Sequence, residues 1–253
     1  MANVVRILLL GKTGVGKSSF INYFLGKDVA AAGAGKPCTQ ELTKYVLNEW
    51  PDTSIELYDS KGLEVKDADN WTQQIVKELE EKSRLDFTER YHTIFYCISA
   101  QKKIEIYEEK TLKELQKAAD QPIHVILTHC DDISDDVLEE REMYLKNNIS
   151  KTLCVYRITS IDKTKRNGTT IKKSGREEVV DGVFNLLWQD VISIMADKVA
   201  EDVVSQVEYA VCQIISYFAN FINDNFSIIG LGKMFGKSVI NNDDSEMDDI
   251  FSN

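Results

Sequence analysis

The chain has 253 residues, 43% of them hydrophobic, and a formal net charge of −11. That is enough apolar material for one α/β domain with an appendage, and it excludes global disorder. So acidic a chain opposes nonspecific binding to DNA, RNA or anionic lipid, each of which needs a cationic footprint. The five cysteines, Cys38, Cys97, Cys130, Cys154 and Cys212, are scattered without metal-ligand spacing, which points to reduced thiols and a cytoplasmic setting. Arg6 inside the first apolar run argues against a signal peptide.

Val4–Leu10 is a continuous apolar run, as a strand buried on both faces reads. Lys17–Leu25 has helical spacing, and Lys27–Lys36, rich in alanine and glycine, reads as a mobile loop. Leu42–Glu49 and Ser54–Tyr58 read as neighbouring strands joined at Pro51-Asp52. A polar helix follows over Asn70–Arg84, a strand over Thr93–Ser99 and a charged helix over Ile104–Ala118. Ile123–Leu127 is a strand, Asp136–Asn147 a helix and Leu153–Ile158 a strand. Strand–helix alternation of this kind predicts an α/β fold of three layers, a mostly parallel sheet with helices on both faces. Ser160–Arg176 breaks the pattern: its lysines and arginines cluster around Asn167-Gly168, which reads as an exposed loop. Glu177 to about Asn225 reads as helix, and the acidic end from Ser245 as a frayed tail. The expected domains are 1–195, a helical extension over 196–240 and a tail over 241–253.

Between the first strand and the first helix stands Gly11-Lys12-Thr13-Gly14-Val15-Gly16-Lys17-Ser18, which fits the phosphate-loop pattern G-x-x-x-x-G-K-S. Its glycines let the backbone curl so that successive N–H groups, from Gly14 to Ser19, point at phosphate oxygens. The helix start adds its positive dipole end. Lys17 reaches the β- and γ-phosphates, and the Ser18 hydroxyl can ligate Mg²⁺. Asp59-Ser60-Lys61-Gly62 follows a strand. There Asp59 can hold Mg²⁺ through water, and the Gly62 N–H can meet the γ-phosphate; an ordinary strand-end turn also contains Asp and Gly. Thr128-His129-Cys130-Asp131 ends another strand. A carboxylate at Asp131 can accept from guanine N1–H and the 2-amino group, donors that adenine lacks. The plain alternative is a turn in which Asp132 and Ser134 cap a helix.

These elements in this order resemble the Ras-like P-loop GTPases, over roughly residues 4–195. The resemblance is closest to the translation-factor-related class, in its Era/TrmE-like and septin-like branches. The stretch GKTGVGKSSFINYFLG also looks like immunity-related GTPases. The resemblance implies GTP or GDP as ligand, Mg²⁺ as cofactor and GTP hydrolysis. It puts Thr39, or alternatively Thr43, where a first switch supplies a Mg²⁺-ligating threonine. Ser160 falls in a box whose backbone meets guanine O6. The implied catalytic set is Lys17, Thr39 and Gly62. The metal set is Ser18, Thr39 and Asp59. The nucleotide set is Gly11, Thr13, Gly14, Val15, Gly16, Lys17, Ser18, Ser19, Thr128, His129, Asp131 and Ser160.

The chain departs from that pattern at several points. His129 replaces a lysine whose stem packs along base and phosphate loop, and Gly14 replaces the asparagine of potassium-activated members. Ile161 departs from the guanine O6 box. Leu63 stands where a glutamine orients the attacking water, and leucine cannot hydrogen-bond to water. Glu64, Asp67 or a group from a second subunit is then the candidate catalytic partner. The expected function is a GTP-hydrolysing switch, slow alone and stimulated by dimerisation or a partner. The rivals are a nucleotide-bound scaffold with little turnover and a P-loop ATPase or kinase.

Val199, Val203, Val207, Val211, Ile214, Phe218 and Phe221 form one helical stripe. It suits packing on its own domain, a homodimer or effector surface, or membrane contact, the last disfavoured by its shortness and lack of basic residues. A homodimer through the nucleotide face is the other candidate assembly. The basic run Lys163–Arg176 could meet RNA, but no aromatic is interleaved with its charges, so a solvated loop is the expectation.

Overall fold

The computed structural model describes residues 3–28, 36–37, 42–50, 53–60, 68–85, 89–119, 121–151, 153–166, 168–183 and 185–186. All lie in the first of two units into which the chain divides, Met1–Asp202 and Val203–Asn253. The alanine- and glycine-rich loop beyond residue 28 lies outside them, with Thr39, Gly62, Leu63, Glu64 and Asp67. So does the apolar stripe from Val199 to Phe221.

In chain order the elements are β1 (Asn3–Gly11), α1 (Lys17–Leu25), β2 (Lys36–Pro37), β3 (Leu42–Trp50), β4 (Thr53–Ser60), α2 (Ala68–Ser83), β5 (Thr93–Ser99), α3 (Ile106–Ala118), β6 (His124–Thr128), α4 (Asp135–Asn148) and β7 (Cys154–Arg157). They build one seven-stranded sheet in the order β2-β3-β4-β1-β5-β6-β7. β3 runs antiparallel to β4 and to β2, and β4, β1, β5, β6 and β7 run parallel. β1 therefore lies at the centre. Its carboxyl end stands beside those of β4 and β5, where an open α/β sheet binds its ligand.

Central strands read as unbroken apolar runs because helices cover both faces. β6 is buried along its whole length. On one face Leu8, Leu10, Tyr96 and Val125 meet Trp71, Ile75 and Leu79 of α2, Leu112 and Leu115 of α3, and Leu138 and Leu145 of α4, all in one cluster. On the other, Phe20 and Phe24 of α1 set their rings edge-on to Phe95 of β5, centroids 5.0 and 5.1 Å apart. The buried positions of α2 recur every three or four residues, which points one stripe at the sheet. Sheet and two helical faces make the expected three layers.

One expectation changes. Ser160–Arg176 is not a featureless loop but carries a hairpin, β8 (Lys163–Thr164) paired antiparallel with β9 (Thr170–Ile171). Gly168 closes its turn at φ 84°, its N–H bonding Lys165 O at 2.9 Å. Below it a bridge joins Thr159 to Ser174. Helix follows over 176–183, and Arg176 Nε donates to Phe24 O at 3.0 Å, tying its start to α1.

Candidate nucleotide-binding site

After β1 the chain turns through Lys12–Gly16 into α1. Gly14 and Gly16 hold φ of 78° and 91°, conformations that L side chains rarely adopt. A Cβ on Gly14 would point into open space, whereas one on Gly16 would stand 2.9 Å from His129 Cε1. α1 has no side-chain cap bond and no acidic residue in its first turn. Its first N–H groups have no intrahelical partner and are suited to an anion. Thr13, Gly14 and Ser18 are exposed around that end, and Ser19 is half-buried.

Lys17 is buried and folds back on the loop, its ammonium donating to Gly11 O at 3.0 Å and Lys12 O at 3.3 Å. Burial pulls its pKa down, against the pull of Asp59. Asp59 pairs in register with Leu9 near the end of β1. Its carboxyl is pushed up by burial and only partly held down by Lys17. Its Oδ1 is buried without a hydrogen-bond partner. An unsatisfied carboxylate oxygen beside a helix start with an exposed serine hydroxyl fits a hard cation such as Mg²⁺, which takes oxygen ligands. Among the described residues no group of three or more His, Cys, Asp or Glu could hold a metal, so such a cation would depend on phosphate oxygens as well.

The base end is tied to the phosphate end. The Thr128 hydroxyl at the end of β6 lies 2.5 Å from Val15 O and 3.2 Å from Ile98 O. Thr128, read from sequence as a nucleotide contact, spends its hydroxyl on the loop backbone. His129 is the one described non-glycine residue with positive φ, at 56°. That turn lays its ring against Gly16, with Nδ1 3.2 Å from Thr128 Oγ1. The histidine thus packs on the phosphate loop in place of a lysine stem. A 3₁₀ turn, Cys130–Asp132, then presents Asp131. Ser134 takes the N-cap position of α4 but makes no side-chain cap bond.

A cleft of about 220 Å³ opens here, lined by Gly16, Ser19, Gln101, Thr128, His129, Asp131, Ser160, Ile161, Asp162 and Lys163. The structure therefore brings Asp131 and Ser160 together on one wall opposite the phosphate loop. Gln101, Asp162 and Lys163 escaped the sequence reading. Lys163 belonged to the basic run taken as solvated, yet its ammonium meets Asp131 Oδ2 at 2.7 Å and also pairs with Asp132, while Lys165 reaches Asp132 at 3.3 Å. Charge alternation between the 3₁₀ turn and the run was the available signal. Lys12 of the loop also has a partner, Glu105 at 2.9 Å, just ahead of α3.

Buried strand, glycine turn, folded-back lysine and uncapped helix, in that order, define the class: a P-loop nucleotide-binding domain. Comparison with known proteins narrows it. Residues 6–129 match the family described as 50S ribosome-binding GTPase. GTPase Der of Persephonella marina is 22% identical over 206 residues, 81% of this chain, which spans 44% of that relative's length. Toc33 of Arabidopsis thaliana in complex with Mg²⁺ and GMPPNP is 16% identical, with 74% of this chain and 86% of that one covered at a TM-score of 0.52. A probable GTP-binding protein engB gives 16% identity, 73% and 100% coverage and a TM-score of 0.50. At such identities the solved structures speak for the fold. The match over residues 6–129 and these likenesses make the domain similar to the P-loop GTPases of the translation-factor-related class.

Proposed function

We propose that the chain binds GTP with Mg²⁺, hydrolyses it and acts as a nucleotide-dependent switch, slow alone and stimulated by a second copy or a partner. The observation that carries this reading is a buried Lys17 folded onto the phosphate loop, within electrostatic reach of an Asp59 whose Oδ1 is buried without a partner, at an uncapped helix start, with a base cleft tied to the loop through Thr128. Lys17 and the amides of Gly14 to Ser19 bind phosphate oxygens, and the Gly62 N–H holds the γ-phosphate. Asp131 accepts from guanine N1–H and the 2-amino group, with Ser160 at O6. Ser18, Thr39 and Asp59 would hold Mg²⁺, which would supply positive charge against the phosphates. Leu63 cannot orient water, so Glu64, Asp67 or a partner's group completes the site.

The proposed G domain is 1–195, with a helical extension over 196–240 and an acidic tail over 241–253. A cytoplasmic setting fits the five scattered cysteines; among the described residues no helix is long and apolar enough to cross a membrane. Toc33 is known as a dimerising protein through a dimerisation-deficient mutant, and a homodimer through the nucleotide face or the C-terminal helices is our reading for this chain. Nucleic acid is disfavoured, since Lys163 and Lys165 of the basic run are engaged with Asp131 and Asp132.

Single-turnover hydrolysis tests this. A dilute sample should turn over at roughly 10⁻⁴ to 10⁻² per second, faster when concentrated. A dilute monomer above about one per second would overturn the need for assistance. Absence of turnover at every concentration favours a nucleotide-bound scaffold, and equal use of ATP favours an ATPase. Hydrogen exchange over residues 27–43 and 60–70 should fall with a nonhydrolysable GTP analogue relative to GDP.

A further inference from the structure

The cation that meets Asp131 comes from outside the segment that carries Asp131. His129, two residues before it, turns its ring onto Gly16. Lys163 crosses 32 positions to place its ammonium 2.7 Å from Asp131 Oδ2. The Asp131 side chain is 12% exposed and that of Lys163 48%, so the carboxylate sits inside the cleft and the lysine at its rim. The lysine's backbone is held in place. Thr159 and Ser174 exchange both N–H···O bonds, at 3.2 and 3.0 Å, and Asp162 accepts from the Lys173 N–H at 2.8 Å. Lys163 follows directly on Ser160–Asp162, which line the cleft together with Asp131. Its pKa is raised by hydrogen bonds to Asp131 and Asp132, so the group is a cation at any physiological pH. Asp132 has a second cation in Lys165.

We propose that Lys163 is a positioning residue of the base site, clamping the Asp131 carboxylate in the orientation that receives both N–H donors of guanine and so setting guanine selectivity. This rests on the reading of Asp131 as the base acceptor. A carboxylate offers about four lone-pair sites. One ammonium bond on Oδ2 occupies one of them and leaves the rest for N1–H and the 2-amino group. A base filling the cleft also strips water from Asp131. A carboxylate desolvated without a counter-charge is costly, and Lys163 supplies that charge at the rim. The hairpin β8–β9 is thus a support for the base site and not a solvated excursion.

The experiment measures affinities of the full chain for GDP, IDP, XDP and ADP. IDP lacks the 2-amino group, so the GDP-to-IDP ratio reports the second hydrogen bond to Asp131. Lys163→Met should weaken GDP roughly tenfold, the worth of one charge-assisted hydrogen bond, and IDP much less, so that the ratio falls. Lys163→Arg should restore the ratio, and Lys165→Met, which touches only Asp132, should leave it at the wild-type value. Unchanged or tighter GDP binding by Lys163→Met would overturn the proposal, because the lysine would be idle or competing with the base. Equal weakening of GDP, IDP and ADP would also overturn it, since that is the signature of a hairpin prop. Asp131→Asn separates the two layers. If it moves preference from GDP to XDP while Lys163→Met keeps the wild-type GDP-to-IDP ratio, only the role of Lys163 fails. If it does not, the base-site reading fails and takes Lys163 with it.

Discussion

His124 and Thr128 begin and end the same buried strand, β6, and polar groups fare differently at its two ends. At the amino end the His124 ring stacks on Tyr156, centroids 5.7 Å apart, with Nδ1 3.3 Å from the phenol oxygen. Burial keeps that imidazole neutral by pulling its pKa down to about 4. At the carboxyl edge of the sheet Lys17 is buried and Asp59 half-buried, and burial disfavours the charge of each by more than the other restores. One end satisfies its polar groups within the fold; the other leaves charge and an unbonded Asp59 Oδ1 for something else to complete. Strain of this kind gathers where a ligand supplies the missing partner.

The largest effect that this contrast predicts is on binding. Lys17→Ala should weaken GTP and GDP by about a hundredfold, the upper end of the roughly 1.5–3 kcal/mol that a charge-assisted hydrogen bond contributes, reached where the site is dry. Fluorescent-nucleotide titration reads this directly. Melting of the nucleotide-free protein should hold or rise, because the removed charge was incompletely compensated there. Binding like wild type would mean that the phosphate-loop assignment is wrong.

At the other end the expected effect is on stability and follows pH. The folded pKa of His124, about 4, lies below its unfolded value of 6.5. The unfolded chain therefore binds the proton first, and stability falls as pH drops from 6.5 towards 4. Its contribution is fully present above 6.5 and is on the order of 3 kcal/mol. Urea melts between pH 4 and 7 should show this slope, and His124→Phe should flatten it. An unchanged slope in the variant would assign the acid sensitivity to carboxylates instead.

At the carboxyl end of β6 itself lies the tie that joins base and phosphate. Thr128→Val keeps shape but strips the hydroxyl from Val15 O, leaving a buried carbonyl short of a donor at a cost of about 1 to 3 kcal/mol. Affinity for GDP and for pyrophosphate should both fall, since loop and base strand lose their common anchor. Loss of GDP affinity alone would place Thr128 on the base after all.

What the sequence disclosed follows the range of the interactions. The bounds of α1 and of β5, Lys17–Leu25 and Thr93–Ser99, were legible because glycine punctuation and unbroken apolar runs are local signals. The phosphate loop was legible for the same reason. The hairpin was not, because strands of two residues carry no periodicity and Lys163–Thr164 is polar throughout. The ties that organise the site were hidden by distance: Thr128 to Val15 spans 113 positions and Lys163 to Asp131 spans 32. Asp131 could be proposed from its neighbours in sequence, but no local pattern names the cation that meets it. His129 was read only as the replacement of a lysine whose stem packs along base and phosphate loop. Its positive φ, which lays it on Gly16, is a property of the folded turn.

The smallest predicted effect runs in the opposite direction to most mutations. Lys17 and Asp59 attract one another, yet for each the burial outweighs the attraction. A carboxyl whose folded pKa stands above its unfolded value binds its proton more readily in the fold. Its penalty is absent below the ordinary value near 3.8, grows as pH rises through the interval up to the folded pKa, and persists above it. The amine of Lys17, lowered instead, carries its penalty while charged. At pH 7 both penalties act on the nucleotide-free protein. Removing one charge alone strands the other, so Lys17→Met and Asp59→Asn should each leave stability close to wild type. The double variant removes both burdens and should gain on the order of 1 kcal/mol, as replacing incompletely compensated charges by neutral groups often does. A double-mutant cycle by urea melting reads the coupling. The same double variant should lose the extra affinity for GTP that Mg²⁺ confers over a chelator. A stability gain with that Mg²⁺ effect intact would mean that the pair is a flaw in the core, unconnected with phosphate or metal. A loss of stability would mean that the two charges satisfy one another, and that the carboxyl edge is no more poised for a ligand than the His124 end.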